Sequence, residues 1–160
     1  MNVLKIEPLY EAYRPWANSV IKEWWSSTRI VTRGKIHNAD ELPGFVAVRD
    51  GFPVGLIIYE IDDRGCEVVC LNSVREGIGV GTALMDKVRK EALKADCGRM
   101  WLITTNDNLK AVRYYQKRGF RLAAFHKNAI EESRKLKPEI PKIGFDGIPI
   151  KDEIEMEFVL

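Results

Sequence analysis

Three alternating glycines give the first indication of chemistry in this 160-residue sequence. Gly77, Gly79 and Gly81 lie in the run from Arg75 to Thr82, after an apolar segment and before apolar residues at helical spacing. A turn of this kind brings several bare backbone N–H groups to the N-terminus of a helix, where they bind phosphate. We therefore predict a phosphate-binding turn between a buried strand and a helix.

Two other interpretations of the glycines stay open at this point. A dinucleotide-binding turn has the pattern G-x-G-x-x-G and an acidic residue about twenty positions later. Here the third glycine comes one residue early, and Asp107 is an imperfect acidic candidate. Glycines also mark ordinary tight bends that bind nothing.

A second helical pattern carries an amide and a phenol, and it begins at Asn108. We expect Asn106 or Asp107 to cap this helix and Gly119 to end it. Asn108 and Tyr115 fall on one stripe of the helix, so both side chains are predicted to face the same cleft.

Together, the two motifs resemble those of the GNAT superfamily of acyl-CoA N-acyltransferases. The pyrophosphate loop of that family, Q/R-x-x-G-x-G/A, is matched by Glu76 to Gly81, and its N-x-x-A-x-x-Y/F-Y-x-x-x-G-F helix by Asn108 to Phe120. One position departs from the family pattern, because Glu76 stands where Gln or Arg is usual. We expect that position to contribute its backbone, with Arg75 supplying the positive charge.

The resemblance implies an α/β GNAT fold in a single domain spanning residues 1–160. Its centre would be a mixed, mainly antiparallel sheet of roughly six to seven strands flanked by helices and splayed between the fourth and fifth strands. It also implies acetyl-CoA as cosubstrate, no metal, and transfer of the acetyl group to a primary amine by direct attack.

The family also suggests roles for particular residues. Tyr115 stands at the position of the usual general acid, which protonates the departing thiolate. Glu67 is the candidate base, four residues before Leu71, the last position of the strand that precedes the glycine turn. The backbone from Leu71 to Val74 is expected to be unpaired and to bind the pantetheine arm. The expected cofactor-binding residues are Leu71, Asn72, Val74, Gly77, Ile78, Gly79, Val80, Gly81, Thr82, Asn108 and Tyr115.

The acceptor wall is harder to derive, because 26–40 shows little regular pattern. In this family the segment between the first helix and the second strand helps to form that wall. The substrate-contact candidates are Trp25, Arg29, Val31 and Ile36. A long connection over 128–152, with a helical pattern at 129–136, is a second candidate for a wall or lid.

The elements that must position these residues follow from apolar periodicity and turn residues. An amphipathic helix ends near Trp25, with Pro15 tolerable only in its first turn. The Asp50-Gly51 pair between two apolar runs predicts a β-hairpin. The remaining predicted strands are 3–7, 66–71, 100–104 and 153–160.

Composition limits the partners. The chain is 46% hydrophobic and 30% charged with a net charge of +2, which favours neither nucleic acid nor a membrane as partner. No apolar run has the length of a membrane span and no signal peptide is evident, so we expect a cytoplasmic protein. Three cysteines and two histidines match no metal spacing. The expected partners are a small-molecule or peptide amine and, in a possible homodimer, a second copy.

Two alternative functions remain. A CoA-binding regulatory module would bind the cofactor without turnover, and the departure at Glu76 is compatible with it. A nicotinamide-nucleotide enzyme would bind NAD instead, although its glycine register does not fit.

Overall fold

A mixed seven-stranded sheet lies at the centre of the computed structural model, which describes residues 3–74 and 79–160. Its strand order is β1-β4-β5-β6-β7-β9-β8, and β2 and β3 form a separate hairpin. The strands are β1 (Leu4–Pro8), β2 (Arg29–Thr32), β3 (Lys35–Asn38), β4 (Gly44–Arg49), β5 (Phe52–Asp62), β6 (Gly65–Ser73), β7 (Arg99–Thr105), β8 (Arg121–His126) and β9 (Glu153–Val159). The helices are α1 (Arg14–Trp25), α2 (Val80–Lys94), α3 (Leu109–Lys117) and α4 (Ala129–Leu136).

Helix α1 covers one face of the sheet. Pro15 lies in its first turn, as expected, where the missing N–H removes no helical hydrogen bond. Ala17 and Ile21 are fully buried on its inner side. They belong to a cluster with buried residues of the sheet: Val46, Leu56, Ile58, Val69 and Cys70.

The opposite face is covered by α2 and α3. Leu84 and Val88 of α2 are fully buried there with Met100 and Met156 of the sheet, and Tyr115 of α3 packs against the same cluster. Gly119 adopts a φ of +94° directly after α3, which confirms that a glycine ends this helix. Among the described residues, no helix has the length and apolar character needed to cross a membrane.

The sheet opens between β6 and β7. These strands run parallel but pair only at Cys66 with Met100 and at Glu67 with Trp101. Beyond these two register pairs, β6 pairs only with β5 and β7 pairs only with β9. The predicted splay between the fourth and fifth sheet strands is therefore confirmed, and Glu67 lies where it begins.

A β-bulge in β6 decides which side chains face this opening. The register between β5 and β6 shifts by one residue at Val69. Val68 joins the cluster on the α2 side, whereas Val69 and Cys70 both join the cluster on the α1 side. Side chains alternate between the two faces along a strand. The extra residue therefore reverses the face of the sheet on which each later side chain of β6 lies. Glu67 consequently points to the α1 side and Leu71 to the α2 side.

The segment that gave little pattern in sequence forms a regular hairpin. Strands β2 and β3 pair with Val31 opposite Ile36 and with Ile30 opposite His37. Ile30, Thr32 and His37 are buried on the side that faces the sheet. The expectation of an irregular segment is wrong, because β-branched residues flank a two-residue turn.

Candidate active site

The described part of the glycine turn ends in a helix N-terminus that no side chain caps. Gly79 is the N-cap of α2 with a φ of +77°, and no side chain caps it. The first helical hydrogen bond runs from Ala83 N to Gly79 O, so the N–H groups of Val80, Gly81 and Thr82 have no helical acceptor. A Cβ built on Gly79 has no neighbour within 4 Å. These features fit a pyrophosphate, whereas Gly77 and Ile78 lie outside the described residues.

Gly81 has an additional packing role. A Cβ at this position would lie 1.9 Å from the hydroxyl oxygen of Tyr114. The guanidinium of Arg118 lies 3.4 Å from the centre of the Tyr114 ring. Gly81 therefore allows α3 to approach the start of α2, and the phosphate-binding turn is fixed to the helix that carries Tyr115.

The open edge of β6 accounts for only part of the predicted pantetheine site. Val68 to Asn72 have no ladder partner on β7, although Leu71 and Asn72 pair with Ile57 and Leu56 of β5 on their other side. Val74, however, donates its N–H to Val54 O at 2.9 Å. The expectation that this N–H is unpaired is wrong, because β5 continues to pair with β6 as far as the turn.

Tyr115 reaches from α3 towards the splay. Its ring makes edge contacts with Tyr114 and with Phe120, whose centres are 5.2 and 5.6 Å away. Burial raises the pKa of Tyr115, and Tyr114 and Cys70 act in the same direction. Since Cys70 lies on β6, the phenol lies beside the far wall of the opening. A phenol in this environment keeps its proton at neutral pH and is available as an acid.

Asn108 has a different local role from the one predicted. It is the N-cap of α3, and its side-chain oxygen accepts a hydrogen bond from Ala111 N at 3.2 Å. The expected caps, Asn106 and Asp107, lie before the helix and bind the 128–152 segment instead. The single side-chain oxygen of Asn108 is therefore already engaged as a helix cap.

Glu67 is enclosed by the β2–β3 hairpin. Its side chain is buried, and its Oε2 accepts a hydrogen bond of 2.6 Å from Thr32 Oγ1. His37 Nε2 lies 3.4 Å from Oε1 and 2.7 Å from Thr32 Oγ1. Neither His37 nor Thr32 is marked as a site residue by any motif in the sequence. The alternation of buried and exposed residues in β2 and β3 is the signal that places both beside the sheet.

Two buried polar atoms at the start of the splay have no hydrogen-bond partner among residues 3–74 and 79–160. One is the acceptor Oε1 of Glu67, and the other is the donor Nε1 of Trp101. Glu67 and Trp101 are register partners across β6 and β7. Unsatisfied buried groups are rare, and a water molecule or a polar ligand satisfies groups of this kind.

The predicted acceptor residues lie together but on the outer side of the hairpin. Val31 and Ile36 are cross-strand partners, half-buried and exposed respectively, on the face opposite Thr32 and His37. Arg29 is exposed and donates to Leu136 O at 2.9 Å. Trp25 packs against the cluster under α1. Three of the four candidates therefore belong to the hairpin and Trp25 lies at the end of α1, whereas Glu67 lies beneath the hairpin.

The 128–152 segment joins the hairpin to the far half of the sheet. Lys137 is buried and donates to Trp25 O at 2.5 Å and to Arg29 O at 2.6 Å. At its other end, Asn106 accepts from the N–H groups of Lys151 and Asp152. The segment therefore connects the end of α1 and the start of β2 to the turn that follows β7.

Solved acetyltransferases share the fold of this chain. The IAA acetyltransferase from Bacillus cereus ATCC 14579 superposes with a TM-score of 0.73 at 19% identity, over 99% of this chain and 100% of that one. A GNAT family acetyltransferase from Elizabethkingia anophelis, determined with acetyl-CoA bound, gives a TM-score of 0.70 at 18% identity over 98% of both chains. The fold is thus that of the acetyltransferases.

Sequence comparison identifies the family. Residues 6–120 match the model of the acetyltransferase (GNAT) family. The chain therefore belongs to the GNAT family of acetyltransferases. It is also 47% identical over 134 residues to the uncharacterized protein YdhI of Bacillus subtilis (strain 168), covering 83% of each protein.

Proposed function

We propose that the protein transfers the acetyl group of acetyl-CoA to the nitrogen of a primary amine by direct attack. The amine nitrogen bonds to the thioester carbonyl carbon, the C–S bond breaks, and free CoA leaves. Glu67 accepts the proton that the amine loses, and Tyr115 gives its proton to the thiolate. Each group thus handles one proton, and no covalent intermediate on the protein is required.

The observation that carries this proposal is the position of Glu67 Oε1, which lies 3.4 Å from His37 Nε2 and 4.0 Å from the Arg64 guanidinium without a hydrogen bond to either. Oε1 is buried at the start of the splay and accepts no hydrogen bond from the described residues. An amine that donates to this oxygen satisfies it and loses its proton to it in the same geometry. The base and the acid lie on opposite faces of the sheet, so the thioester has one on either side in the gap between β6 and β7.

Acetyl-CoA as the acyl donor is supported by the N–H groups at the start of α2, which have no helical acceptor, and by the edge of β6 that is unpaired on its β7 side. The Elizabethkingia relative, whose structure contains acetyl-CoA, has the same fold. The phosphates would lie at α2, and the pantetheine amides along β6 near Leu71.

The function is tested by titration calorimetry with acetyl-CoA, followed by thiol release with a panel of small and peptide amines. We expect saturable binding, release of CoA with one class of amine, and an N-acetylated product by mass spectrometry. Binding without release on any amine would favour a regulatory module. Binding of NAD and not of acetyl-CoA would overturn the assignment of the cleft.

The 128–152 segment, a candidate wall of the acceptor site, gives a prediction about the acceptor. Burial lowers the pKa of Lys137, and its ammonium group holds the carbonyls of Trp25 and Arg29. Lys137→Met keeps the length of the side chain but removes both hydrogen bonds, each contributing about 1.5–3 kcal/mol when one partner is charged. We expect the KM for the amine to rise about tenfold, with unchanged affinity for acetyl-CoA.

The matched control is Lys135→Met on the same helix, where the exposed ammonium pairs with the exposed Glu132. This variant should behave as the wild type. An unchanged amine KM in Lys137→Met would remove the segment from the acceptor site. A parallel loss of acetyl-CoA affinity would indicate general unfolding instead.

A further inference from the structure

Three side chains form a chain of hydrogen bonds that ends on Glu67, and the proposed reaction does not use them. Thr32 Oγ1 lies 2.6 Å from Glu67 Oε2 and 2.7 Å from His37 Nε2. His37 Nδ1 lies 2.6 Å from Glu60 Oε2. We call Thr32, His37 and Glu60 the carboxylate clamp. It links a fully buried base to Glu60, whose side chain is 25% exposed.

The hydrogen atoms of the clamp follow from counting donors and acceptors. An ionised carboxylate only accepts, so the single hydroxyl hydrogen of Thr32 is donated to Glu67. Thr32 Oγ1 must then accept from Nε2–H of His37, because it has no second hydrogen to give. Glu60 likewise accepts from Nδ1–H. With both carboxylates ionised, as the proposed base requires, both ring nitrogens of His37 carry a proton and an imidazolium lies between the two glutamates.

The surroundings are consistent with a charged His37. Burial alone would lower the pKa of His37, but the hydrogen bonds and charges of Glu67 and Glu60 outweigh it and raise the pKa above its ordinary value. Glu60 and Glu67 are directly opposite each other across β5 and β6, where two carboxylates repel unless a cation separates them.

Other charged groups near the clamp belong to the β3 strand and the turn between β5 and β6. Lys35 Nζ lies 3.1 Å from Glu60 Oε1 and 3.7 Å from Asp62. Arg64 lies 4.0 Å from Glu67 Oε1 but makes its closer contact, 2.8 Å, with Asp62. His37 is thus the cation in closest contact with Glu67 among the described residues.

We propose that the carboxylate clamp positions Glu67 for catalysis, keeping its carboxylate ionised and holding Oε2 so that Oε1 alone is left to receive the proton of the amine. The proposal rests on the proposed function, in which Glu67 is the base. The hydroxyl of Thr32 fixes the rotation of the carboxylate, and the imidazolium balances its buried charge. Thr32 and His37 are positioning residues, since they act through Glu67.

The test is the pH dependence of kcat/KM for the amine, measured at saturating acetyl-CoA on the full chain. We compare wild type, Glu67→Gln, His37→Gln and Thr32→Val. Loss of the cation or of the hydrogen bond makes the charged base less favourable, so more alkaline solution is needed to ionise it. The acid limb, in which kcat/KM rises with pH on the acidic side of the profile, should move to higher pH by about one unit in His37→Gln and in Thr32→Val.

His126→Gln is the matched control. His126 is the other of the two histidines, and it also contacts a glutamate, with Nε2 3.0 Å from Glu155 Oε1. Its removal should leave the acid limb in place. If it shifts the limb as His37→Gln does, a general change in surface charge is responsible and the proposal is overturned.

The outcomes distinguish the proposed role of the clamp from the proposed role of Glu67 as base. Glu67→Gln should abolish the acid limb and lower kcat/KM at neutral pH by about 10²-fold or more. If Glu67→Gln does so while His37→Gln and Thr32→Val keep the wild-type acid limb, the assignment of Glu67 as base is supported and the proposed role of the clamp is overturned. If Glu67→Gln keeps both rate and limb, the assignment of the base fails, and the proposal with it. A clamp that only held the hairpin would lower the rate equally at every pH.

A second measurement does not depend on turnover. Imidazole ¹⁵N spectra of the protein contain only two histidines, and His37→Gln assigns them. In wild type, His37 should show two protonated nitrogens at neutral pH and titrate above the ordinary imidazole range, whereas Glu60→Gln should bring its titration to lower pH. A neutral His37 at pH 7 would overturn the proposal even in a protein that acetylates no amine.

Discussion

Phenylalanine in place of Tyr115 is expected to lower turnover by about 10²-fold or more, with little change in the affinity for acetyl-CoA. The substitution keeps the ring contacts with Tyr114 and Phe120 and removes only the hydroxyl group. Because burial raises the pKa of Tyr115, the phenol is protonated across the neutral range in which the thiolate leaves. Steady-state turnover and titration calorimetry on the same sample measure the two effects separately.

Tyr114→Phe is the neighbouring control. The Tyr114 hydroxyl packs against Gly81, and the ring lies under Arg118. This variant should keep most of its turnover, since its hydroxyl belongs to the contact between helices. Equal losses in both variants would indicate disturbed packing of α3. Wild-type turnover in Tyr115→Phe would exclude the phenol from the mechanism.

Gly79→Glu is expected to reduce acetyl-CoA binding to below detection. The backbone at Gly79 has a φ of +77°, which strains any residue with a Cβ by about 1–2 kcal/mol. The space beyond its Cα holds no described atom within 4 Å, so a side chain built there would enter the place of the pyrophosphate. Its carboxylate would also repel the phosphates at the N-terminus of α2. Calorimetric titration with acetyl-CoA measures the loss directly.

Gly34→Glu carries the same strain elsewhere and serves as the control. Gly34 lies in the turn between β2 and β3 with a φ of +71°, and a Cβ there also has no neighbour within 4 Å. The two variants should lose similar stability in thermal unfolding, while only Gly79→Glu loses cofactor binding. Wild-type affinity in Gly79→Glu would contradict the placement of the pyrophosphate.

Much of the fold could be predicted because its signals are local. Apolar periodicity predicts α2, and the Asp50-Gly51 pair predicts the β4–β5 hairpin, which the structure contains as Gly44–Arg49 and Phe52–Asp62. The helix of the 128–152 segment is also confirmed at Ala129–Leu136. These elements depend on neighbours in sequence, so one chain is enough to recognise them.

The surroundings of Glu67 could not be predicted in the same way. Its contacts come from Thr32 and His37, far away in sequence, and the bulge at Val69 decides which face each residue of β6 occupies. A bulge depends on the pairing of two strands and leaves no mark in either one alone. The catalytic roles of Glu67 and Tyr115 stay predictions, and the structure gives the positions and contacts of the two side chains.

The order of strands also determines when this half of the sheet can form during synthesis. Strand β9 lies between β7 and β8, although β8 precedes it in the chain. Until β9 has left the ribosome, β7 has only the two register pairs with β6, and β8 has no neighbour in the sheet. The wall of the cleft beyond Trp101 is thus completed by its latest-made strand, and the nascent chain exposes two unpaired strand edges until then.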